Sequence, residues 1–278
     1  MKQSSGSSLE RQALMGPDGD AFHAHVLRPA GRWTDHVVVL LPAIAGVNPY
    51  IAEVAQQLAA QAYSVVVIDY FSRDGEVPDL STPERIGAAV AALDDRRVLR
   101  DVAAVMDWLT RAGIDRRHIG LLGFCIGGTY ALLACEAPQA PACAVAYYGQ
   151  LAYDEKTAFK PRDPVEAAAQ LRAPVLGHFG TRDRLIGVAE IAEFSARLWP
   201  TGLAHEIHTY TGAPHAFDEW FRPQVYRPVA SAQAWERTLT FLDWHLRQRT
   251  ARRALSHLHS STLETNHDQE PRARDHAL

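Results

Sequence analysis

The stretch GFCIGG, residues 123–128, places Cys125 between two glycines. An apolar run, 118–124, precedes the cysteine, and a stretch with helical character, 126–136, follows it. The pattern Gly-x-Cys-x-Gly is typical of a nucleophile elbow, a sharp strand-to-helix turn that presents a reactive side chain. Glycines two positions before and after the cysteine allow the close backbone contacts of such a turn. The alternative is a tight turn that holds a buried structural thiol.

An elbow at Cys125 has chemical consequences. The positive end of the following helix favours a thiolate. The backbone N–H of Ile126 then points to where an oxyanion forms during acyl transfer. The other two cysteines, Cys135 and Cys143, lie in apolar segments, and we expect both to be packing residues.

A thiol nucleophile needs a base and a group that orients the base, in the chain order nucleophile, acid, histidine. Asp183 follows the apolar run 174–180, and His215 follows the run 205–210. We expect His215 to take the proton of Cys125 and Asp183 to fix the imidazole. Taken singly, Asp183 is equally well explained as a helix cap, and His215 as a surface loop residue.

Alternating apolar runs and helical segments predict an α/β protein with a parallel central sheet covered by helices on both faces. Ligands in such sheets bind beyond the carboxyl ends of the strands, where the proposed catalytic residues fall. The predicted strands are 37–43, 64–71, 118–124, 142–149, 174–180 and 205–210, and the predicted helices are 51–62, 82–93, 98–112, 126–136, 188–198 and 231–247.

From about residue 20 to 248, the chain resembles the dienelactone hydrolase family, a branch of the α/β-hydrolase fold with a Cys-His-Asp triad. The matching stretches are 45–48, 69–73, 123–128, 147–149, 180–183 and 212–217. The resemblance implies hydrolysis of a small ester or lactone without a metal or organic cofactor. It makes the N–H of Ile44 the second oxyanion donor and places Ala43, Arg85 and Tyr148 beside the substrate.

Two departures from the family pattern concern the substrate. Ala43 replaces a glutamate that takes part in thiolate formation in the family. Asp218 and Glu219 stand where the family has an arginine that binds the substrate carboxylate, and we expect them to disfavour an anionic substrate. Arg85, with the further candidates Arg73 and Arg222, remains available to replace it.

Three functions therefore compete. The first is hydrolysis of a small ester or lactone through Cys125. The second is a ligand-binding or redox-sensing role on the same scaffold, in which a thiol of low pKa is oxidised rather than acylated. The third keeps the triad but cleaves a thioester or amide.

The 278 residues carry a formal net charge of -4, which argues against nucleic acid as a partner.

We expect a flexible leader over 1–15, a hydrolase domain over 16–249 and a solvated tail over 250–278, rather than a metal site formed by the tail histidines. No signal peptide or membrane span is predicted, and three unevenly spaced cysteines fit a reducing compartment. We therefore expect a cytoplasmic protein that is a monomer or small homo-oligomer.

Overall fold

The computed structural model describes residues 8–248, within which eight strands form one sheet. The strands are β1 (Glu10–Met15), β2 (Ala21–Leu27), β3 (Val37–Leu41), β4 (Ser64–Ile68), β5 (Ile119–Phe124), β6 (Cys143–Tyr147), β7 (Val175–Gly180) and β8 (His205–Tyr210). The helices are α1 (Pro49–Ala60), α2 (Pro83–Ala92), α3 (Asp95–Arg111), α4 (Ile126–Leu133), α5 (Pro164–Ala167), α6 (Val188–Leu198) and α7 (Pro228–Asp243), and a π-helical turn, Trp244–Gln248, follows α7.

The strand order is β1-β2-β4-β3-β5-β6-β7-β8. Strands β3 to β8 run parallel, whereas β2 pairs antiparallel with β1 and with β4. The central strands β3, β4, β5, β6 and β7 are buried along their whole length, as strands covered on both faces must be. The prediction of an α/β-hydrolase fold with a mostly parallel sheet is confirmed.

Three helices begin earlier along the chain than predicted, and for two of them a polar cap explains the difference. The side chain of Asn48 accepts a hydrogen bond from Ile51, so that α1 begins at Pro49. Asp94 caps α3 in the same way by accepting from Arg96. Side-chain oxygens of this kind satisfy the free N–H groups of the first turn. The last long helix, α7, begins at Pro228, where the proline ring suits the first helical position.

The predicted flexible leader, 1–15, is wrong over residues 10–15. These residues form β1 and pair with β2 along its length, and a turn joins the strands in which the N–H of Gly16 donates to the oxygen of Asp20. Leu14 is the buried side chain of β1, so the ladder of backbone hydrogen bonds, rather than an apolar pattern, holds this edge strand. The sheet therefore begins before the predicted domain boundary, and strand β2 was not predicted.

Residues 1–7 and the predicted tail, 250–278, with its four histidines, lie outside the described residues. Among the residues that are described, no helix is both long and apolar enough to cross a bilayer.

Candidate active site

Cys125 lies at the junction of β5 and α4 in a backbone conformation that is unusual for a residue with a side chain. Its φ is 53° and its ψ is -123°. Its N–H donates to the oxygen of Tyr147 at 3.0 Å, and its own oxygen accepts from Gly128 at 2.8 Å. A strained conformation held by surrounding hydrogen bonds is common where a side chain must be presented for chemistry. The side chain of Cys125 is partly exposed.

The glycines on either side of Cys125 touch backbone. A Cβ on Gly123 would lie 2.0 Å from the oxygen of Gly127, and a Cβ on Gly127 would lie 2.1 Å from the oxygen of Leu41. Real Cβ atoms do not approach backbone oxygen so closely. A side chain at Gly123 would push the start of α4 away from β5, and a side chain at Gly127 would push it away from β3. The prediction that both positions require glycine is confirmed.

His215 and Asp183 meet in the loops that follow β8 and β7. The Nδ1 atom of His215 lies 2.8 Å from an oxygen of Asp183, and the other carboxylate oxygen accepts from the N–H of Leu185 at 2.8 Å. The side chain of Asp183 is fully buried, whereas that of His215 is 22% exposed. The carboxylate therefore fixes the imidazole in one orientation. Asp183 thus lies beside the histidine. It does not cap α6, whose N-cap residue is Gly187.

The close approach of these two loops depends on Gly180, the last residue of β7. A Cβ at Gly180 would lie 2.2 Å from the oxygen of Ala213. That oxygen accepts a hydrogen bond from the N–H of Arg182 at 2.9 Å, and the hydroxyl of Thr181 accepts from Gly212 at 2.9 Å. The loops are thus joined directly beside the Asp183–His215 contact.

The second nitrogen of His215, Nε2, is buried and makes no hydrogen bond of normal geometry within residues 8–248, although the imidazole interacts with the thiol group of Cys125. Cys125 is close enough for its charge to act on the imidazole. Burial disfavours the charged imidazole, but the charge of Cys125, together with the hydrogen bond and charge of Asp183, outweighs it and raises the pKa of His215 to about 10. The second nitrogen thus belongs to an imidazole that is readily protonated beside Cys125.

The two backbone groups predicted to bind an oxyanion lie on adjoining segments. Ile126 is the first residue of α4, so its N–H has no acceptor within the helix. Ile44 lies in the loop after β3, in a turn closed by a hydrogen bond from the N–H of Gly46 to the oxygen of Ala43 at 2.9 Å. The contact of Gly127 with the end of β3 brings the two segments together. Ala43 is half-buried and supplies only a methyl group.

The arginines proposed to recognise a substrate carboxylate are engaged with carboxylates of the protein. Arg85, on α2, has an exposed side chain and pairs with Asp79. Arg73 is largely buried, contacting Asp101 through both terminal nitrogens and Asp20 through Nε. The structure thus gives Arg85 a surface position and Arg73 a role in joining the hairpin of β1 and β2 to α3.

The two acids that follow the histidine are also engaged. Asp218 is buried and accepts hydrogen bonds from the hydroxyls of Tyr50 and Ser231, both at 2.5 Å. Burial raises the pKa of Asp218, although both hydrogen bonds oppose this shift. Glu219 pairs with Arg222 at 2.7 Å. The repulsion of an anionic substrate expected from the sequence is therefore weakened, because neither carboxylate stands free beside the imidazole.

Tyr148, predicted to lie beside the substrate, is buried next to the histidine. Its ring centroid is 5.1 Å from that of His215 in an edge-to-face arrangement. Its φ is 39°, and its N–H donates to the oxygen of His178 at 2.8 Å. A second residue with positive φ, Ala216 at 60°, follows the histidine directly. In the contact between Tyr148 and His215, one residue has a strained backbone and the other directly precedes a residue that has one.

The groups assigned to packing are buried. Cys135 and Cys143 are both inaccessible, and burial raises the pKa of each thiol. His178 lies in β7 with Nδ1 2.9 Å from the hydroxyl of Tyr210 and Nε2 3.1 Å from that of Thr238. Burial lowers the pKa of His178, as befits a neutral, hydrogen-bonded core histidine.

Sequence reasoning missed two tyrosines at the site. Tyr50 lies on α1 and reaches Asp218, and Tyr70 donates a hydrogen bond to the oxygen of Pro42 at 3.1 Å, which fixes the end of β3. Tyr70 comes shortly after the end of β4, and Tyr50 lies in the first turn of the helix that follows β3. A position beyond the carboxyl end of a strand is the signal that could have revealed them.

The sheet order and the strained elbow define the fold as that of an α/β-hydrolase. The model of the dienelactone hydrolase family matches residues 22–246. A crystal structure of a Klebsiella pneumoniae subsp. pneumoniae MGH 78578 protein assigned as a dienelactone hydrolase superposes with a TM-score of 0.76 at 28% identity, covering 84% of this chain and 98% of that one. The chain belongs to the dienelactone hydrolase family and is a carboxylic ester hydrolase.

Two curated relatives carry more specific names. A Bradyrhizobium protein, named as a probable 2-oxo-3-(5-oxofuran-2-ylidene)propanoate lactonase, is 42% identical over 233 residues, which are 84% of this chain and 93% of the relative. A Yersinia pestis protein assigned as a carboxymethylenebutenolidase is 34% identical over 230 residues, which are 82% of this chain and 85% of the relative. These relatives confirm the resemblance inferred from the motifs and support hydrolysis of lactones.

Proposed function

We propose that the enzyme opens a small unsaturated lactone with Cys125 as nucleophile, His215 as general base and acid, and Asp183 as the orienting carboxylate. The observation that carries the proposal is the 2.8 Å contact between His215 and Asp183, which leaves Nε2 unpaired beside Cys125. Nucleophile, base and orienting group in this arrangement are the parts required for acyl transfer.

In the first half of the reaction, the sulfur of Cys125 attacks the lactone carbonyl carbon. The carbonyl oxygen becomes an oxyanion, which the N–H groups of Ile126 and Ile44 stabilise. The bond between the carbonyl carbon and the ring oxygen then breaks, and the ring oxygen takes the proton held by His215. The ring-opened substrate stays attached to Cys125 as a thioester.

In the second half, His215 takes a proton from water, and the resulting hydroxide attacks the thioester. The carbon–sulfur bond breaks, the product leaves as a carboxylic acid, and Cys125 returns with the histidine to its starting protonation state. Asp183 keeps the imidazole in one orientation through both halves and stabilises its charged form.

The names of the relatives support a substrate class. Both names describe an unsaturated five-membered lactone that carries a carboxylate on an exocyclic carbon. We infer that this chain takes a lactone of the same class, since its two neighbouring acids are engaged with hydroxyls or an arginine. Because Ala43 replaces the glutamate of the family, thiolate formation depends on His215 and on the amino end of α4.

The test is hydrolysis of a 5-oxofuran-2-ylidene carboxylate, followed by the loss of its ultraviolet absorbance. Cys125→Ala should abolish turnover, and Cys143→Ala, which removes a buried thiol elsewhere, should retain it. Equal rates for wild type and Cys125→Ala would discard the mechanism. A neutral short-chain ester assayed in parallel measures how much the substrate carboxylate contributes.

Cleavage of a thioester or an amide would use the same three residues. Rates measured with thioester and amide substrates in the same assay therefore compare these activities with lactone hydrolysis. The proposal includes a cytoplasmic location, which would keep Cys125 as a free thiol, and a monomer or small homo-oligomer. If mild peroxide oxidised Cys125 to a sulfenic acid while no lactone was turned over, the redox-sensing alternative would be supported instead.

A further inference from the structure

One buried polar atom next to the site makes no hydrogen bond of normal geometry within the described residues. It is the hydroxyl of Tyr148, whose polar neighbour is the hydroxyl of Tyr50, although buried hydroxyls are nearly always fully paired. The ring of Tyr148 lies against those of His215 and Phe217, at centroid distances of 5.1 and 5.4 Å. Tyr148 therefore lies directly beside the imidazole proposed as the base.

The neighbouring Tyr50 interacts with the hydroxyl of Tyr148, but its own proton is engaged elsewhere. Its hydroxyl donates to Asp218 at 2.5 Å, and Ser231 donates to the other oxygen of the same carboxylate. A tyrosine hydroxyl carries one proton, so the oxygen of Tyr50 is left as an acceptor only. Tyr50 also contacts Phe124, the residue before the nucleophile, at 5.6 Å between ring centroids.

These contacts indicate which side chain can donate a hydrogen bond to a substrate. Tyr50 donates its hydrogen bond to Asp218, and burial keeps Tyr148 protonated by raising its pKa. The candidate substrate arginines Arg73 and Arg222, by contrast, are bound to acidic side chains. The neutral hydroxyl of Tyr148, whose ring contacts that of His215, is thus available to donate to a substrate.

We propose that Tyr148 donates a hydrogen bond to an oxygen of the bound lactone, and that Tyr50, held by Asp218, is a positioning residue that directs this hydroxyl. This inference rests on the proposed function of Cys125. An acceptor on the substrate would satisfy the buried hydroxyl, whereas a substrate lacking that oxygen would leave it unpaired, so Tyr148 also contributes to specificity.

The test is a double-mutant cycle on kcat/KM with Tyr148→Phe, Tyr50→Phe and the double variant. Tyr148→Phe should lower kcat/KM about tenfold, which is the contribution of one good hydrogen bond, with little change in the unfolding temperature, because the lost hydroxyl makes no hydrogen bond of normal geometry in the free protein. Tyr50→Phe should lower kcat/KM less, and the double variant should match Tyr148→Phe, since Tyr50 acts through Tyr148.

The matched control is Tyr147→Phe, which removes a neighbouring buried hydroxyl that pairs with Thr238 at 2.8 Å. This variant should lose some thermal stability and keep its kcat/KM. The inference is overturned if Tyr148→Phe retains more than half of the wild-type kcat/KM, or if the effects of Tyr50→Phe and Tyr148→Phe multiply. Cys125→Ala is assayed alongside: if it is inactive the failure concerns Tyr148 alone, and if it is active the proposed function itself fails.

Discussion

Asp183 and His215 come from loops 32 residues apart and share a hydrogen bond of 2.8 Å from Nδ1 to a fully buried carboxylate. The loops are held together by further hydrogen bonds around Gly180 and Ala213. The orientation of the imidazole is therefore a property of the fold and exists before a substrate binds.

Asp183→Asn should lower kcat by about 10³- to 10⁴-fold with little change in KM, because an amide favours the wrong imidazole tautomer. Steady-state kinetics on the lactone measure both constants. Asp79→Asn, at an exposed position, serves as the control and should behave as wild type. A loss of less than tenfold in Asp183→Asn would show that the carboxylate does not orient the base.

Stability should depend on pH through His215. Its pKa is about 10 in the folded protein against an ordinary value of 6.5, so folding favours the protonated form. The stabilisation is fully present below about pH 6.5 and is lost as the pH rises through about 10. The difference in free energy of unfolding between wild type and His215→Asn, measured by urea unfolding, should shrink across this window.

A second variant isolates the cause of this pH dependence. Cys125→Ala removes the charge that most favours the imidazolium, so the pKa of His215 should fall. Nuclear magnetic resonance of the imidazole can follow this titration directly. An unchanged pKa in Cys125→Ala would mean that the two side chains do not interact.

The elbow should not tolerate a methyl group at Gly127. In Gly127→Ala, the Cβ would meet the oxygens of Leu41 and Pro42 at 2.1 and 2.5 Å, so we expect a loss of about 3 kcal/mol in the free energy of unfolding, together with activity. Gly87→Ala, on the exposed face of α2 with open space around it, should instead gain about 1 kcal/mol. Chemical unfolding measures the free energy of unfolding of both variants. Equal values for Gly127→Ala and Gly87→Ala would contradict the close contact described at Gly127.

Arg73 should matter for stability rather than for substrate binding. Its side chain is 12% exposed and that of Asp101 is 4% exposed, so Arg73→Met leaves a buried carboxylate without its partner. We expect a cost of about 3 kcal/mol in the free energy of unfolding and an unchanged KM. Arg117→Met, at an exposed pair, should have little effect on either. A higher KM in Arg73→Met, without the same change in Arg117→Met, would indicate that Arg73 binds the substrate.

The sequence was sufficient to predict the buried strands and the residues that follow them. Strand β3 is an unbroken apolar run, and β4 is apolar after its first residue, Ser64, so burial on both faces could be recognised from each strand alone. Strand β1 has a single buried side chain, Leu14, and is held by pairing with β2, which no local pattern reveals. That is why the leader was predicted in its place.

Contacts between distant residues were the part of the site that could not be predicted. Tyr50 and Asp218 are 168 positions apart, and only the folded chain shows that their hydrogen bond engages an acid expected to repel the substrate. The motif around Cys125, by contrast, is local: the glycines at fixed spacing report the backbone contacts of the turn itself.

The most direct test of the mechanism is the mass of the protein during turnover. Rapid acid quenching of the enzyme mixed with lactone, followed by intact-mass and peptide analysis, should find the full mass of the lactone added to the peptide that contains Cys125, because ring opening releases no fragment. Steady turnover with no adduct on that peptide, or with an adduct on another residue, would contradict a thioester on Cys125.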